Sequence, residues 1–469
     1  MSPARESAAA VSAKTTAKPQ QNPMGERELR GIVDTVLRLA KSIGVAETEV
    51  HVDENISALT RFANNAIHQN VAEHTLNVSV RTQVDQRTAR ATTNRTDEDS
   101  LRAVIEASLS LAHSQPKNPN VLPVPGKQRY RGVNRFVKQT ASLTPEDRAR
   151  AVRRACDLAI KKGQTAAGIF SSAQAQSVMG NSRGLFAAYR DTHAVFSITM
   201  QEASAASWAK ENAASVADVH PQQLAERASG KAHRATDPRE LEPGRYTVIL
   251  EPAAVLDLVG FLFYDFAATA LRDKRSCFNE RMGKQVLGKN IRIEDDVYHP
   301  LQLGAPFDGE GMPRQPALLV DQGVPKNLVY SRASAKIAKK TPTGHGFMLP
   351  NEYGEAPMNL VFSGGKASLE EMIASTERGL LVTRLWYIRE VDPYEKIMTG
   401  MTRDGLFLVE KGQVTSAARN FRFNQSILQM LRNVEMMGPA VRATGEEAFE
   451  MVVPAMKIRD FQFSEVTKF

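Results

Sequence analysis

Cysteine is scarce: Cys156 and Cys277 are the two among 469 residues. That excludes a disulfide framework and makes a reducing cytoplasm the expected location. Histidine is sparse too, with nine residues, no His-Glu dipeptide and no pair at the spacing metallopeptidase helices use. No apolar run approaches the roughly 20 residues that cross a bilayer as a helix, so no membrane role is expected. Clustered positive charge is missing as well. Although the formal charge is +8, Lys and Arg are spread beside 52 acidic residues, and no nucleic-acid-binding signature appears, so a nucleic-acid partner is not expected. Residues 1–23 have almost no large apolar side chains, which predicts a disordered tail without the apolar middle of a secretory signal.

What is present is ordinary globular material, 42% hydrophobic and 24% charged, enough for two to three domains. Leu29, Ile32, Val33, Val36, Leu37, Ala40 and Ile43 recur at helical spacing, and Gly44 stops the run. Leu76, Val78 and Val80 alternate with Asn77, Ser79 and Arg81, the pattern of a strand with one buried face. A second helix is expected from a Thr96 cap. Residues 114–131, rich in Pro, Asn, Gly and Lys, read as a linker. The scheme then recurs, with Thr144 capping a helix that has Pro145 in its first turn. Strands follow from 166 to 203 around the turn Asn181-Ser182-Arg183-Gly184, then a helix over 221–234. From 245 onward come a strand, a strongly apolar helix over 253–271, and many short strands with Gly-containing turns. Ile427, Leu428, Leu431 and Val434 predict a late helix ended by Gly438-Pro439. The expected fold class is α+β: an N-terminal α/β domain with a mixed sheet (24–240, with a sub-boundary near 114–131) and a β-rich C-terminal domain (241–469).

Residues 304–346 are the densest in chemistry. They hold Asp308, Glu310, Gly309, Gly311 and Pro313, a strand-like 317–320 closed by Asp321-Gln322-Gly323, and Gly344-His345-Gly346. Such concentrations of backbone-setting residues shape a site more often than they fill a core. Asp308 and Glu310 have the makings of an acid–base pair, and equally of a tight loop whose carboxylates accept backbone N–H groups. Cys277 has no histidine nearby in sequence to activate it, and Cys156 lies beside an apolar helical stripe.

Taken together, Asn181-Ser182-Arg183-Gly184, Met282-Gly283-Lys284-Gln285-Val286, Phe307-Asp308-Gly309-Glu310-Gly311-Met312-Pro313, Thr343-Gly344-His345-Gly346 and Gly405-Leu406-Phe407-Leu408-Val409-Glu410-Lys411-Gly412 form an ordered series. In that series the chain resembles the TldD/PmbA family, also called modulators of DNA gyrase, from about Glu26 to Phe463. The resemblance implies a β-rich C-terminal domain of the TldD/PmbA type and a part in proteolysis. TldD-type members of that family are zinc peptidases with a His-Glu-x-x-x-His helix and a Cys near the C-terminus; TldE/PmbA-type members lack these ligands and pair with TldD.

The equivalent helix here, 252–275, contains no histidine, and its ligand window reads LVGFLFYD. Asp257, Val259, Tyr264 and Asp265 mark this degenerate zinc-helix region. Two aspartates cannot supply the three or four donors at about 2 Å that zinc requires. The resemblance therefore implies a TldE/PmbA-like, non-catalytic subunit with no cofactor of its own, paired as a heterodimer with a zinc-bearing TldD-type subunit that acts on unfolded or extended peptides. No residue is assigned to catalysis or metal binding. Asp308, Glu310, Gly311, Pro313, Gly344 and His345 are the candidate loop along a peptide tunnel. The alternatives are a self-sufficient peptidase with unconventional ligands and a peptide-binding scaffold without turnover.

Overall fold

In the N-terminal half, period-two alternation builds a six-stranded sheet: β1 (Glu47–Ala63), β2 (Ala66–Val84), β3 (Arg87–Thr93), β4 (Thr165–Asn181), β5 (Phe186–Glu202) and β6 (Ala205–Ala213). A computed structural model describes residues 23–467 of the chain, and the expected tail, 1–23, lies outside the described residues except for Pro23. Strand order is β3-β2-β1-β4-β5-β6. The chain is α+β, but this first sheet is antiparallel throughout and not the mixed sheet expected. Tight turns impose that arrangement. Asn64-Asn65 and Asp85-Gln86 all take positive φ, between 49° and 61°, the two-residue hairpin geometry whose twist matches the strands it joins.

Helices α1 (Glu26–Ser42), α2 (Glu98–Ser114), α3 (Lys138–Ala141), α4 (Pro145–Lys161) and α5 (Pro221–Arg234) accompany these strands. The recurrence seen in the sequence is a helix, three strands and a helix used twice, joined where β1 pairs with β4. Leu29, Val33, Val36 and Leu39 of α1 bury against Val50, Val52, Val78 and Val80. The α4 and α5 stripes bury against Phe170, Phe196 and Ile198. Thr144 caps α4 in a reciprocal box with Asp147. The α2 cap is Asp97, which accepts the Ser100 N–H at 3.0 Å, and not Thr96. Helical geometry starts at Glu98, and Asp97 directly before it has the extended backbone that a cap needs.

The C-terminal half forms an eleven-stranded sheet. Its strands are β7 (Gly244–Leu250), β8 (Ile293–Asp295), β9 (Ala317–Asp321), β10 (Val324–Pro325), β11 (Leu360–Phe362), β12 (Arg378–Asp392), β13 (Ile397–Glu410), β14 (Gln413–Ala417), β15 (Phe421–Ser426), β16 (Val434–Ala443) and β17 (Met451–Val466). Because β17 pairs with both β15 and β7, the run β17-β15-β13-β12-β7 closes on itself. Closure removes the free edges of those strands. Phe421, Phe461 and Phe463 pack together in this unit's core. Helices α6 (Pro252–Val259), α7 (Ala268–Arg272), α8 (Arg332–Ala338), α9 (Leu369–Ala374) and α10 (Ile427–Arg432) complete it. No helix among the described residues is long and apolar enough to cross a membrane.

Two helical expectations change. The apolar run 253–271 is not one helix: α6 gives way to a 3-10 stretch, Gly260–Phe266, then extended Ala267, then α7. The break has a tertiary cause, since Phe266 and Ala268 exchange main-chain hydrogen bonds with Val329 and draw Ala267 out of helical geometry. The late helix ends at Arg432. Val434 opens β16, which runs through Gly438 and Pro439 at a register shift as it pairs with β17.

A glycine in β4 shows how tightly the first sheet is packed. A side chain on Gly168 would meet the Ser197 carbonyl and the Phe62 ring, the close approach that interior strand glycines serve. Gly168→Val is expected to cost roughly 1–3 kcal/mol or more through overpacking, read as a lowered urea midpoint with an unchanged slope.

Candidate functional site

Positive-φ glycines and short carboxylate turns draw all six expected loop residues into one buried knot. Asp308 is 3% exposed. Its Oδ1 accepts the N–H groups of Glu310 (2.9 Å) and Met312 (2.8 Å), and Oδ2 accepts that of Gly346 (2.7 Å). The Gly309 N–H returns a bond to the Gly346 carbonyl at 2.9 Å. Gly344 has φ +71, and a side chain there would strike the Pro313 carbonyl. His345 is 1% exposed, with Nε2 2.9 Å from Asp295 Oδ1 and Nδ1 2.9 Å from Thr343 Oγ1. Burial works against the Asp295 charge, but the His345 ring beside it brings that carboxyl below its ordinary value.

Glu310 Oε1 accepts the Arg332 N–H at 2.9 Å, and the Arg332 guanidinium lies 3.7 Å from Oε2. Burial, followed by the Asp308 charge, pushes Glu310 up to about 7. Chemically the knot is saturated: its carboxylates are spent on N–H groups. Two sizeable cavities are present, about 650 Å³ beside Arg403 and Arg419 and about 460 Å³ beside Tyr130 and Tyr189. None of the six residues lines either one.

The knot sits on the first sheet. Gly311, at φ +76, packs against Leu185 and Met179, and its carbonyl accepts the Tyr130 hydroxyl at 2.8 Å. Arg332 Nη2 donates to the Pro123 carbonyl at 2.7 Å. Nearby, Glu49 is 1% exposed and holds Arg81 (Nη2 to Oε2, 2.9 Å), Arg90 and His51. Arg90 Nε also reaches across to the Leu349 carbonyl at 2.6 Å. Burial opposes the Glu49 charge, yet Arg81 and His51 hold the carboxyl well below the usual range.

Sequence reasoning missed Glu49, Arg81, Arg90 and Arg332. Arg81 and Ser79 were expected on a solvent face but are each 2% exposed. At this end of β2 both faces of the sheet are covered. A three-residue alternation cannot report that, although a strand mixing Arg and Val could have hinted at it.

In the degenerate zinc-helix region Asp257, Val259 and Asp265 are buried, and Tyr264 is half-buried. Val259 is fully buried. The Asp257 carboxylate accepts the N–H groups of Glu446 (3.3 Å) and Glu447 (3.2 Å) through Oδ1, and burial pushes it up to about 7. Gly260 packs on Ala448, and the Phe263 and Phe449 rings meet edge-on at 5.5 Å. Asp265 Oδ1 accepts the Cys277 N–H at 2.7 Å, while Lys396 Nζ lies 2.6 Å from Oδ2 and also 2.6 Å from Glu390. Tyr264 donates to the Tyr353 carbonyl at 3.1 Å. The two aspartates thus face different neighbours, and no three His, Cys, Asp or Glu side chains converge as metal donors among the described residues. This donor set does not fit zinc. Cys277 is fully buried and burial pushes its thiol up, the setting of an inert cysteine.

The sequence matches two family models: "PmbA/TldA metallopeptidase C-terminal domain" over residues 243–465 and "PmbA/TldA metallopeptidase domain 1" over 49–112, together more than half of the chain. It is 23% identical to Metalloprotease PmbA of Escherichia coli O157:H7 over 450 residues, covering 92% of the chain and 96% of that protein. It is 28% identical to a Metalloprotease TldD homolog of Buchnera aphidicola over 216 residues, 45% of the chain. Apart from PmbA proteins, the chain spans less than half the length of the curated relatives it matches. The crystal structure of TldE from Thermococcus kodakarensis superimposes with a TM-score of 0.84 at 19% identity, covering 92% of this chain and all of that one.

Two substitutions test the electrostatics. Glu49→Gln takes the carboxylate from buried Arg81 and part-buried Arg90 and is expected to destabilise by about 3–5 kcal/mol. Because the folded pKa is depressed, the wild-type contribution is present above the ordinary carboxylate pKa and is lost as pH falls; the variant's melting temperature should therefore fall less steeply on acidification. Asp257 has the opposite sign. Its raised pKa means the folded state holds a proton that the unfolded chain has released, so its contribution declines from about pH 4 to pH 7. Asp257→Asn should melt higher than wild type at pH 8, and the gap should narrow as pH falls and close at about pH 4.

Proposed function

The chain belongs to the PmbA/TldD metallopeptidase family, and on that premise we propose that it is the non-catalytic, TldE/PmbA-like subunit of a TldD/TldE-type protease acting on unfolded or extended peptides. One observation carries this reading. The helix that the family resemblance assigns to zinc is here spent on structure, with Asp257 tied to the 446–447 turn and Asp265 to Lys396 and the Cys277 N–H. Peptidases of the metal-dependent kind need a bound water made acidic by the ion, and these side chains offer it no seat.

Two further points support the role. The match to PmbA runs nearly end to end, whereas the matches to TldD homologs cover less than half of the chain. The fold is that of a protein titled TldE. In this reading zinc belongs to the TldD-type partner, the heterodimer is the working species, and the chain supplies a wall of the peptide path near the 304–346 loop. The knot's saturated carboxylates suit a rigid wall better than proton transfer.

Mixing the purified chain with a TldD-type relative is expected to give a stable complex that hydrolyses an unfolded peptide and is silenced by a chelator. The chain alone should neither retain stoichiometric zinc in elemental analysis nor cleave the peptide. Chelator-sensitive cleavage by the chain alone would establish a self-sufficient peptidase instead. Peptide binding with no turnover in the mixture would establish a scaffold.

A further inference from the structure

β2 is 19 residues long, but β3 covers only its last seven, 78–84. Residues 66–77 pair with β1 alone, and among the described residues no other main chain bonds to their outer side. Most of the stretch is exposed on both faces. Such an edge presents a row of free N–H and C=O groups, which proteins usually blunt with lysine, proline, bulges or a covering helix. The segment AIHQNVAEHTLN contains neither Lys nor Pro, and its one bulge lies beside the hairpin end, between Ile67 and Gln69. Its strand formers Ile67, Val71 and Thr75 favour extension.

We propose that this edge docks a second copy of the chain, antiparallel, about a two-fold axis at Val71, merging two six-stranded sheets into one. An axis perpendicular to the sheet keeps each side chain on its own face, so opposed residues must share parity. Centring on Val71 sets Val71 against Val71, Gln69 against Glu73 and Asn70 against Ala72. His68 then faces His74, no two carboxylates meet, and the Gln69 amide can donate to the Glu73 carboxylate across the seam. Centring on Glu73 would instead oppose two carboxylates. A single pair of strands buries an area at the small end of specific interfaces, so the dimer is reversible. None of the residues of the zinc-helix region takes part, and the inference stands apart from the proteolytic role.

Sedimentation of the full chain across rising concentration should show mass climbing from 51.6 kDa toward twice that value. Val71→Pro and Ala72→Pro are made separately. The one that removes an outward N–H should abolish dimerisation with little change in melting temperature; the one that breaks the β1 ladder should lower it. Val71→Cys should form an interchain disulfide on mild oxidation, because Cys156 and Cys277 are buried and do not compete. A monomer at every concentration overturns the proposal. So does a dimer that survives both proline variants and leaves the Val71→Cys chain without a cross-link, or an edge engaged only when a TldD-type chain or an extended peptide is added.

Discussion

The junction between the two sheets depends on one constraint, the seating of a dense carboxylate knot on the end of the first sheet. Asp308 satisfies three backbone N–H groups with its two oxygens. That closes the 308–312 turn and pins it to the Gly344–Gly346 strand of loop. Once closed, the turn can press Gly311 against Leu185 and Met179 only because no side chain intervenes. The charges around it follow the same rule. Glu49 and Glu310 are buried, and each is tolerable because guanidinium groups or N–H donors surround it. The two sheets are thereby held in one relation by polar contacts whose geometry admits little slippage.

A second consequence concerns the helix between β7 and α7. A metal site needs donors that converge and a position left open for water. Here the corresponding volume is filled. Ala448 and Phe449 cover Gly260 and Phe263, and the Lys396 ammonium lies beside Asp265. The same interactions that make this region a stable core remove the conditions for a zinc-bound nucleophile. The carboxylates of Asp257 and Asp265 are engaged in packing and hydrogen bonding, and this is the observation on which the proposed subunit role rests.

Much was legible in the residues themselves. An apolar stripe placed α1, and Thr144 with Pro145 marked where α4 begins. The turn at Asn181-Ser182-Arg183-Gly184 separated β4 from β5, and the density of glycine and carboxylate over 304–346 singled out a loop in which all six candidate residues meet. Misreadings came where distant chain intervened. The run 253–271 has helical composition, but main-chain bonds to Val329 extract Ala267. Gly438-Pro439 reads as a helix stop, yet pairing with β17 carries a strand through it. Arg81 reads as solvent-facing, yet it lies buried against Glu49, 32 residues earlier in the chain.

Local patterns thus determined most of the element types and the fold class, because those follow from side-chain period and turn chemistry within a few residues. Tertiary structure alone decided which charges are buried, where the apolar helix breaks, and that Asp308 and Glu310 serve the junction between two sheets. The reason is physical: burial and hydrogen-bond partnership belong to pairs of groups brought together from far apart in the chain, and no single stretch carries the identity of the partner it will meet.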